Sequence, residues 1–265
     1  MKRITKYIIL TALLLNAGHL FAWPKMGHET VALIATEELQ PSVRKQVEGI
    51  LGTNMKSIAV LLNTLRKQPG LEHTAQWHRL HLNEQTQPTG VEDDALYQIE
   101  RCADILRHRA EHSDSLQVAA LRTLVHLVAD MHCIAHVRLA DEPLSEGFNF
   151  TFPIMTYLAG KIHMGKCSWY KLWHDRFFDT HLGFTPQMFA ENITMAYASQ
   201  RDNYAKGTPR DWAVEIGKQA REILANMEAD AVLPHKQVNL YEDTHEQNVA
   251  KAAYRLAAML NDIFK

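Results

Sequence analysis

Apolar residues recur at helical spacing along nearly the whole chain, and this periodicity constrains the fold more than any other feature. In the first segment, the residues that share one helical face are Val31, Ile34, Ala35 and Leu39. Pro41 closes that stripe, and Gly52 is the predicted stop of the next helix. Comparable patterns predict helices near 42–51, 56–67, 93–111, 115–132, 169–179, 186–204, 209–229 and 243–264.

One segment departs from this pattern. Between residues 148 and 162, Phe148, Phe150 and Phe152 alternate with polar residues, as in a short hairpin. Asp93 and Asp114 are the predicted N-terminal caps of the two long central helices. No repeat, low-complexity tract or flexible linker interrupts residues 23–265. We therefore predict an all-α fold, a single-domain helical bundle over 23–265 with at most one small β element, the hairpin.

The first 22 residues have the order of a secretory signal peptide. Basic Lys2, Arg3 and Lys6 precede an apolar run over 7–15, and small Ala22 closes the segment. An uncleaved anchor is the alternative, but the apolar run is well short of the roughly 20 residues of a spanning helix. We expect cleavage after Ala22, a secreted or periplasmic protein, and Trp23 as its first residue.

Charge and cysteine content exclude some classes of protein and leave others open. With 28 Lys and Arg against 30 Asp and Glu, the net charge of −2 is not that of a duplex-DNA-binding protein. Three cysteines, Cys102, Cys133 and Cys167, allow at most one disulfide. Cys102 and Cys133 lie in apolar helical patterns, so buried thiols and a bridge are equally open.

The segment 121–136 carries the clearest chemical signal. On a helix, His126 and Asp130 are four residues apart and project from one face, so both reach a single metal ion. His136, beyond the helix end, could reach a neighbouring ion. Zinc accepts this mixture of imidazole and carboxylate. The alternative is a salt-linked pair beside the core, and His126 and Asp130 taken alone favour that alternative.

Four further motifs accompany that segment. They are Trp23 at the predicted N-terminus, Gly27-His28, His73-Thr-Ala-Gln-Trp77-His78, and Trp169-Tyr170-Lys-Leu-Trp173-His174. With them, the chain resembles the zinc-dependent single-strand nuclease and 3′-nucleotidase family of fungi, plants and bacteria, which shares its fold with zinc phospholipase C. The resemblance is carried by the first two thirds of residues 23–265.

The resemblance implies up to three zinc ions. The implied ligands are the Trp23 amine and carbonyl with His28 and Asp130 at the first ion, His78, His126 and Asp130 at the second, and His136 at the third. Arg66 matches a basic residue that stabilises charge on the phosphate. Clustered metals of this kind polarise a phosphoryl group and activate water.

Three ligand positions differ from the family pattern. Asn63 stands where the family has an Asp ligand, and the pair Tyr170 and His174 stands where it has His and Asp. Asn63 still offers a carbonyl oxygen, and His174 with His136 could form a site. Tyr170 is a poor ligand because its phenol stays protonated. His163 is a candidate substitute, although a lone His near a hairpin is more often a surface residue.

Two expected substrate contacts also differ, because Arg79 and His81 replace a base-stacking aromatic residue and an Asp or Asn. Arginine can stack on a base or pair with a phosphate. We expect a monomeric zinc phosphodiesterase or nuclease acting on single-stranded nucleic acid or nucleotide 3′-phosphates, without stable duplex-DNA binding and without a membrane span. The alternatives are a non-nucleolytic metal-binding member and, on fold analogy alone, a phospholipase.

Overall fold

The computed structural model describes residues 25–141, 149–156, 161–181, 183–228 and 230–265. The predicted signal peptide 1–22, Trp23 and Phe148 lie outside these residues, and so does the side chain of His163. The helices are α1 Lys25–Glu37, α2 Pro41–Leu51, α3 Met55–Ile58, α4 Leu61–Leu65, α5 Ala95–Arg107, α6 Asp114–Met131, α7 Trp169–Lys171, α8 Phe177–Asp179, α9 Pro186–Tyr197, α10 Arg201–Tyr204, α11 Pro209–Ala225 and α12 His235–Ile263.

Helix α6 is the central element of this helical fold. It packs against α5 and α12, and from Ala120 to Met131 almost every side chain is buried. Each fully buried Leu or Val in such a helix contributes about 1.5–3 kcal/mol of hydrophobic stabilisation. Polar groups on this helix are therefore held in a dry, rigid setting, which matters because His126 and Asp130 lie on it.

Two small β elements accompany the helices. Strands β3 (Asn149–Thr156) and β4 (Lys161–Ser168) form the antiparallel hairpin expected near 148–162, with β4 extending further than expected. Strands β1 (Leu80–Leu82) and β2 (Val137–Leu139) pair in parallel. The expectation of at most one β element was wrong, because three-residue strands joined across 54 residues of intervening chain leave no local alternation to detect.

Helix boundaries differ from the predictions at several points. The side chains that cap α5 and α6 are Asp94, which accepts from Tyr97 N at 2.8 Å, and Ser113, which accepts from Leu116 N at 3.4 Å. Asp93 instead has a positive φ of 72°, a left-handed conformation that Asp tolerates. The predicted helix 56–67 is two short helices, α3 and α4.

The predicted helix 169–179 contains a wider turn. Between α7 and α8, residues Leu172–Arg176 form a π-helical turn, which inserts one extra residue into the helix. Such turns often occur at functional sites, because they redirect a side chain that a regular helix would aim elsewhere. This turn carries His174.

Cys102, Cys133 and Cys167 are all reduced and buried. Burial raises the pKa of the Cys102 thiol to about 12 and that of Cys167 to about 11. The buried-thiol reading of the sequence is therefore confirmed over the disulfide. Among the described residues, the helices are too short or too polar to cross a lipid bilayer.

Candidate metal centre

Asp130 is the centre of a cluster of imidazoles. Its side chain is fully buried on α6, one turn after His126. The nitrogen atoms nearest the carboxylate are His78 Nδ1 at 2.6 Å and His126 Nε2 at 3.1 Å from Oδ2, and His28 Nε2 at 3.3 Å and His136 Nε2 at 3.5 Å from Oδ1. Each carboxylate oxygen thus faces two imidazoles.

Four separate elements bring these side chains together. His28 lies on α1, His78 ends the 3₁₀ turn Glu72–His78, and His136 ends the 3₁₀ turn Ile134–His136 after α6. The rings of His28 and His126 stack with centroids 4.0 Å apart, and His78 meets His126 edge-on at 4.9 Å. The ligand atoms of His28, His126 and Asp130 all lie within 4.8 Å of one another, as the ligands of one ion do.

Burial sets the protonation of this cluster. It lowers the pKa of His28 to about 4 and that of His136 well below its usual range, and it lowers that of His78. Burial also opposes ionisation of Asp130, but the surrounding imidazoles, His136 first, hold the pKa of its carboxyl well below its usual range. Neutral imidazoles around an ionised carboxylate are the protonation states that bind a metal ion.

Hydrogen bonds from outside the cluster fix two of the rings. His126 Nδ1 donates to the Ala59 carbonyl at 2.7 Å, which leaves Nε2 as the ligand atom facing Asp130. His174 Nδ1 bonds Asp175 Oδ1 at 2.7 Å, which leaves its Nε2 as the ligand atom. A carbonyl or carboxylate behind an imidazole is the usual support of a metal-binding histidine.

The third expected zinc position has fewer ligands than the first two. His174 lies with its ring centroid 5.8 Å from that of His136, so the predicted juxtaposition of these histidines is present. Tyr170 stacks on His174 at 4.5 Å, with an angle of 22° between the rings. Burial raises the pKa of the Tyr170 phenol, which keeps it a neutral cover over His174 rather than an anionic ligand.

Asn63 lies on α4 and is fully buried. Neither its amide nitrogen nor its carbonyl oxygen has a hydrogen-bond partner among the described residues. Leaving a buried amide without a hydrogen bond lowers the stability of the fold by about 1–3 kcal/mol. A partner outside the described protein atoms, such as a metal ion, would remove this cost. Its carbonyl oxygen is an electron-pair ligand that a metal ion could use.

A cavity of about 410 Å³ opens beside the cluster. His78, His136 and Tyr170 line it, together with three arginines, Arg66, Arg79 and Arg138. Among the described residues that line it, none carries a carboxylate. The structure therefore places the expected Arg66 and Arg79 at this cavity. His81 lies on β1, paired in register with Arg138, and is not among the residues lining the cavity.

The donor set fits zinc. Among the described residues, the ligand atoms buried without a hydrogen-bond partner include Asp130 Oδ1, His78 Nε2, His136 Nε2 and His174 Nε2. Zinc is commonly bound by imidazole nitrogen and carboxylate oxygen, and a bound ion would satisfy these atoms. The first two expected zinc positions combine histidines with the shared Asp130 carboxylate, whereas the expected third position has His136 and His174.

Sequence reasoning missed three residues that shape this centre. The Ala59 carbonyl carries no sequence signal, because any residue supplies a carbonyl. Asp175 directly follows His174, a spacing that on a regular helix turns two side chains to different faces, yet its carboxylate bonds His174 Nδ1 within the π-helical turn. Arg138 could have been noticed as a basic residue two positions after His136, but only the β1–β2 pairing brings it beside Arg79.

Comparison with known proteins agrees with this geometry. A model of the S1/P1 nuclease family matches residues 23–265. The chain is 23% identical to Nuclease S1 of Aspergillus oryzae, with 96% of each chain covered. It is 24% identical to Nuclease PA3 of a Penicillium species and to Nuclease P1 of Penicillium citrinum, with 91% of this chain and 97% of each relative covered. The chain therefore belongs to the S1/P1 nuclease family, a family of hydrolytic enzymes.

Proposed function

We propose that this protein is a secreted or periplasmic, monomeric, zinc-dependent phosphodiesterase that cleaves single-stranded nucleic acid or removes nucleotide 3′-phosphates. The observation that carries the proposal is the fully buried Asp130 carboxylate with four imidazole nitrogens within 3.5 Å. A carboxylate so enclosed costs several kcal/mol in desolvation unless cations compensate it. The S1/P1 family match supports the hydrolytic class.

In this proposal, His28, His78 and His126 hold zinc together with Asp130, which bridges two ions. Trp23 contributes its amine and carbonyl, and Asn63 its carbonyl oxygen. His136 and His174 hold a third, weaker ion. Bound zinc would polarise the phosphoryl oxygen and activate water for attack on phosphorus.

Three arginines of the cavity bind the phosphate groups of the substrate in this proposal. Arg66, Arg79 and Arg138 line the cavity above His78 and His136, so a phosphodiester that enters meets positive charge on several sides. Guanidinium groups hold phosphate oxygens bidentately and stay charged at all working pH values. We propose that Arg66 stabilises the charge that develops on the phosphate, while Arg79 positions a neighbouring phosphate or stacks on a base. His81 pairs in register with Arg138 on the neighbouring strand and is not among the residues that line the cavity.

The shape of the site favours single strands. A phosphate must enter a cavity of about 410 Å³ to approach the buried cluster. The backbone of a single strand bends and its bases unstack freely, whereas a duplex must first be distorted, at a cost of a few kcal/mol. The net charge of −2 gives the chain no overall positive charge that would offset this cost.

A second candidate function is metal binding without nucleolysis. The neutral amide of Asn63 supplies no charge where the family resemblance implies a carboxylate. Tyr170 stacks on His174, and burial keeps its phenol protonated and therefore a poor metal ligand. Both features weaken the hold on zinc and lower the hydrolytic rate relative to a site with the full ligand set.

The test uses the chain beginning at Trp23, purified without chelator. Its zinc content is measured by mass spectrometry, its mass by light scattering, and its hydrolysis of single-stranded DNA, RNA, duplex DNA and 3′-nucleotides is measured with and without chelator. The proposal expects bound zinc and chelator-sensitive hydrolysis that is faster on single strands than on duplex. Zinc without hydrolysis of any of these substrates would favour the metal-binding reading. Hydrolysis that is indifferent to chelation would refute the zinc dependence.

A further inference from the structure

A second cluster of metal-binding side chains lies outside the Asp130 centre. Glu242 and Glu246 are one turn apart on the same face of α12, and His181 follows the end of α8. His181 Nε2 lies 3.0 Å from Glu246 Oε1 and 3.8 Å from Glu242 Oε1. One ligand atom from each of the three lies within 4.8 Å of the others.

The His181 ring is held in place before any ion binds. Its centroid lies 4.6 Å from that of Phe189 and 5.4 Å from that of Phe184, and its backbone N–H donates to the Phe178 carbonyl. Its Nε2 atom is buried and has no aligned hydrogen bond among the described residues, although Glu246 Oε1 is close. The nitrogen is therefore within 4.0 Å of both carboxylates without an aligned hydrogen bond to either.

The charges at this cluster are unbalanced. Among the residues that the structure describes, neither Glu242 nor Glu246 has a Lys or Arg nitrogen within 4.0 Å, and His181 is the ion-pair partner of both. Their side chains are only 26% and 22% exposed, so solvent screens their repulsion incompletely. The buried His245 ring packs against Phe178 and is held neutral because burial lowers its pKa to about 3.

We propose that His181, Glu242 and Glu246 bind one divalent transition-metal ion, zinc in the first instance. Imidazole nitrogen and carboxylate oxygen are both zinc ligands, whereas calcium and magnesium select all-oxygen sets. The ion would fasten the segment after α8 to α12. Because that segment follows the π-helical turn with His174, the site would stabilise one wall of the hydrolytic centre while taking no part in the reaction.

The experiment compares zinc binding by wild type, by the double variant Glu242→Gln/Glu246→Gln, and by a control double variant, Glu222→Gln/Glu228→Gln. The control changes the charge equally at two exposed positions. After equilibration with buffered zinc, we expect the test variant to hold one ion fewer per chain than wild type or control. We also expect a smaller rise in Tm on zinc addition and an unchanged rate on single-stranded DNA at saturating zinc.

An equal zinc content in all three proteins would show that the cluster is only an ion pair. A direct measurement on the wild type covers the case in which the variant does not fold. Crystals soaked in zinc should show an anomalous peak between His181 Nε2 and the two carboxylates, and no peak there would overturn the proposal. These measurements also separate this proposal from the proposed hydrolytic function. A nuclease without this site would hydrolyse DNA but show equal zinc content in the three proteins. A protein with the site but without nuclease activity would show the difference in zinc content and no hydrolysis.

Discussion

The residue at the centre of the candidate metal site, Asp130, is a carboxylate in the fully buried part of the fold. Asp130 has no exposed surface, and the pKa of its carboxyl is held low by the imidazoles around it. At this scale, three residues differ from the ligand pattern that the family resemblance implies, and we expect them to lower the activity. Asn63 is a neutral amide, Tyr170 stacks on the His174 ring, and His174 is hydrogen-bonded to Asp175.

Restoring the family residues tests whether these departures weaken the site. The triple variant Asn63→Asp, Tyr170→His and His174→Asp should bind more zinc and hydrolyse single-stranded DNA faster, by on the order of tenfold or more. Asn63→Asp and Tyr170→His each supply a strong ligand, and His174→Asp exchanges an imidazole for a charged carboxylate. Zinc content and rate are compared with wild type in excess zinc. If wild type has the same zinc content and the same rate as the restored variant, the three residues are ligands of a site with altered specificity. The interpretation that they weaken zinc binding would then be wrong.

His132 makes stability depend on pH. Its Nδ1 donates to the Val128 carbonyl and its Nε2 accepts from Arg255 Nη1, so the ring is neutral, and Arg255 also pairs with Glu215. Burial and then the Arg255 charge lower its pKa to about 3. The unfolded chain binds this proton near pH 6.5, so the stabilisation is full above pH 6.5 and is lost as the pH falls toward 3.

The expected loss across that window is about 1.4 kcal/mol per pH unit. The variant His132→Gln keeps a hydrogen-bond acceptor and removes the titration. Its free energy of unfolding, measured in urea from pH 7 to 4, should fall less steeply than that of wild type. The exposed His73→Gln serves as control and should keep the wild-type slope. Parallel slopes for His132→Gln and wild type would assign the acid sensitivity to other groups.

At the scale of elements, the sequence predicted what local patterns control. Helical periodicity and the stop at Gly52, with its φ of 66°, were confirmed because both depend on neighbouring residues alone. The caps shifted by one residue to Asp94 and Ser113, since adjacent polar side chains compete for the same backbone N–H groups. The π-helical turn and the β1–β2 pair escaped prediction because tertiary contacts determine them.

Those tertiary contacts give an element-scale prediction at the junction of α11 and β1. A Cβ on Gly217 would lie 2.2 Å from Leu82 Cδ1 and 3.2 Å from Thr86 Cβ, and all three residues are buried. Gly217→Ala should therefore destabilise the protein by about 1–3 kcal/mol through overpacking. The matched control is Gly49→Ala on α2, where a Cβ meets nothing within 4 Å. The control should stabilise by up to about 1 kcal/mol, because Ala favours the helix.

Urea unfolding of both variants measures the two effects. A Gly217→Ala variant as stable as wild type would mean that Leu82 adopts another rotamer at no cost and that α11 does not rest tightly on β1.

At the scale of the whole molecule, residues far apart in sequence meet at one centre. His28 on α1 and His174 in the π-helical turn are separated by most of the chain, yet both belong to the surroundings of Asp130. The imidazoles and Arg66 could be predicted from motifs, since spacing and residue type identify them. The arginine-lined cavity could not, because it forms only when α4, the 3₁₀ turn before β1, and β2 pack together.

Maturation of the chain should complete this centre. An α-amine binds zinc only when Trp23 is the first residue and the amine has lost its proton, whose pKa is ordinarily about 7.7–8. Protein that begins at Trp23 should therefore hold more zinc than protein with one alanine added before it. Zinc content of the two purified forms provides the measurement, and equal content would contradict a role for the Trp23 amine.

The most direct test of a hydrolytic metal centre around Asp130 is the variant Asp130→Asn, which keeps the side-chain shape and removes the charge. Zinc content and hydrolysis of single-stranded DNA are measured on the same preparation, beside the exposed control Asp262→Asn. We predict that Asp130→Asn loses more than one zinc ion per chain and that its rate falls to the level of chelated wild type, while the control is unchanged. A folded Asp130→Asn variant with wild-type zinc content and wild-type rate would contradict the account.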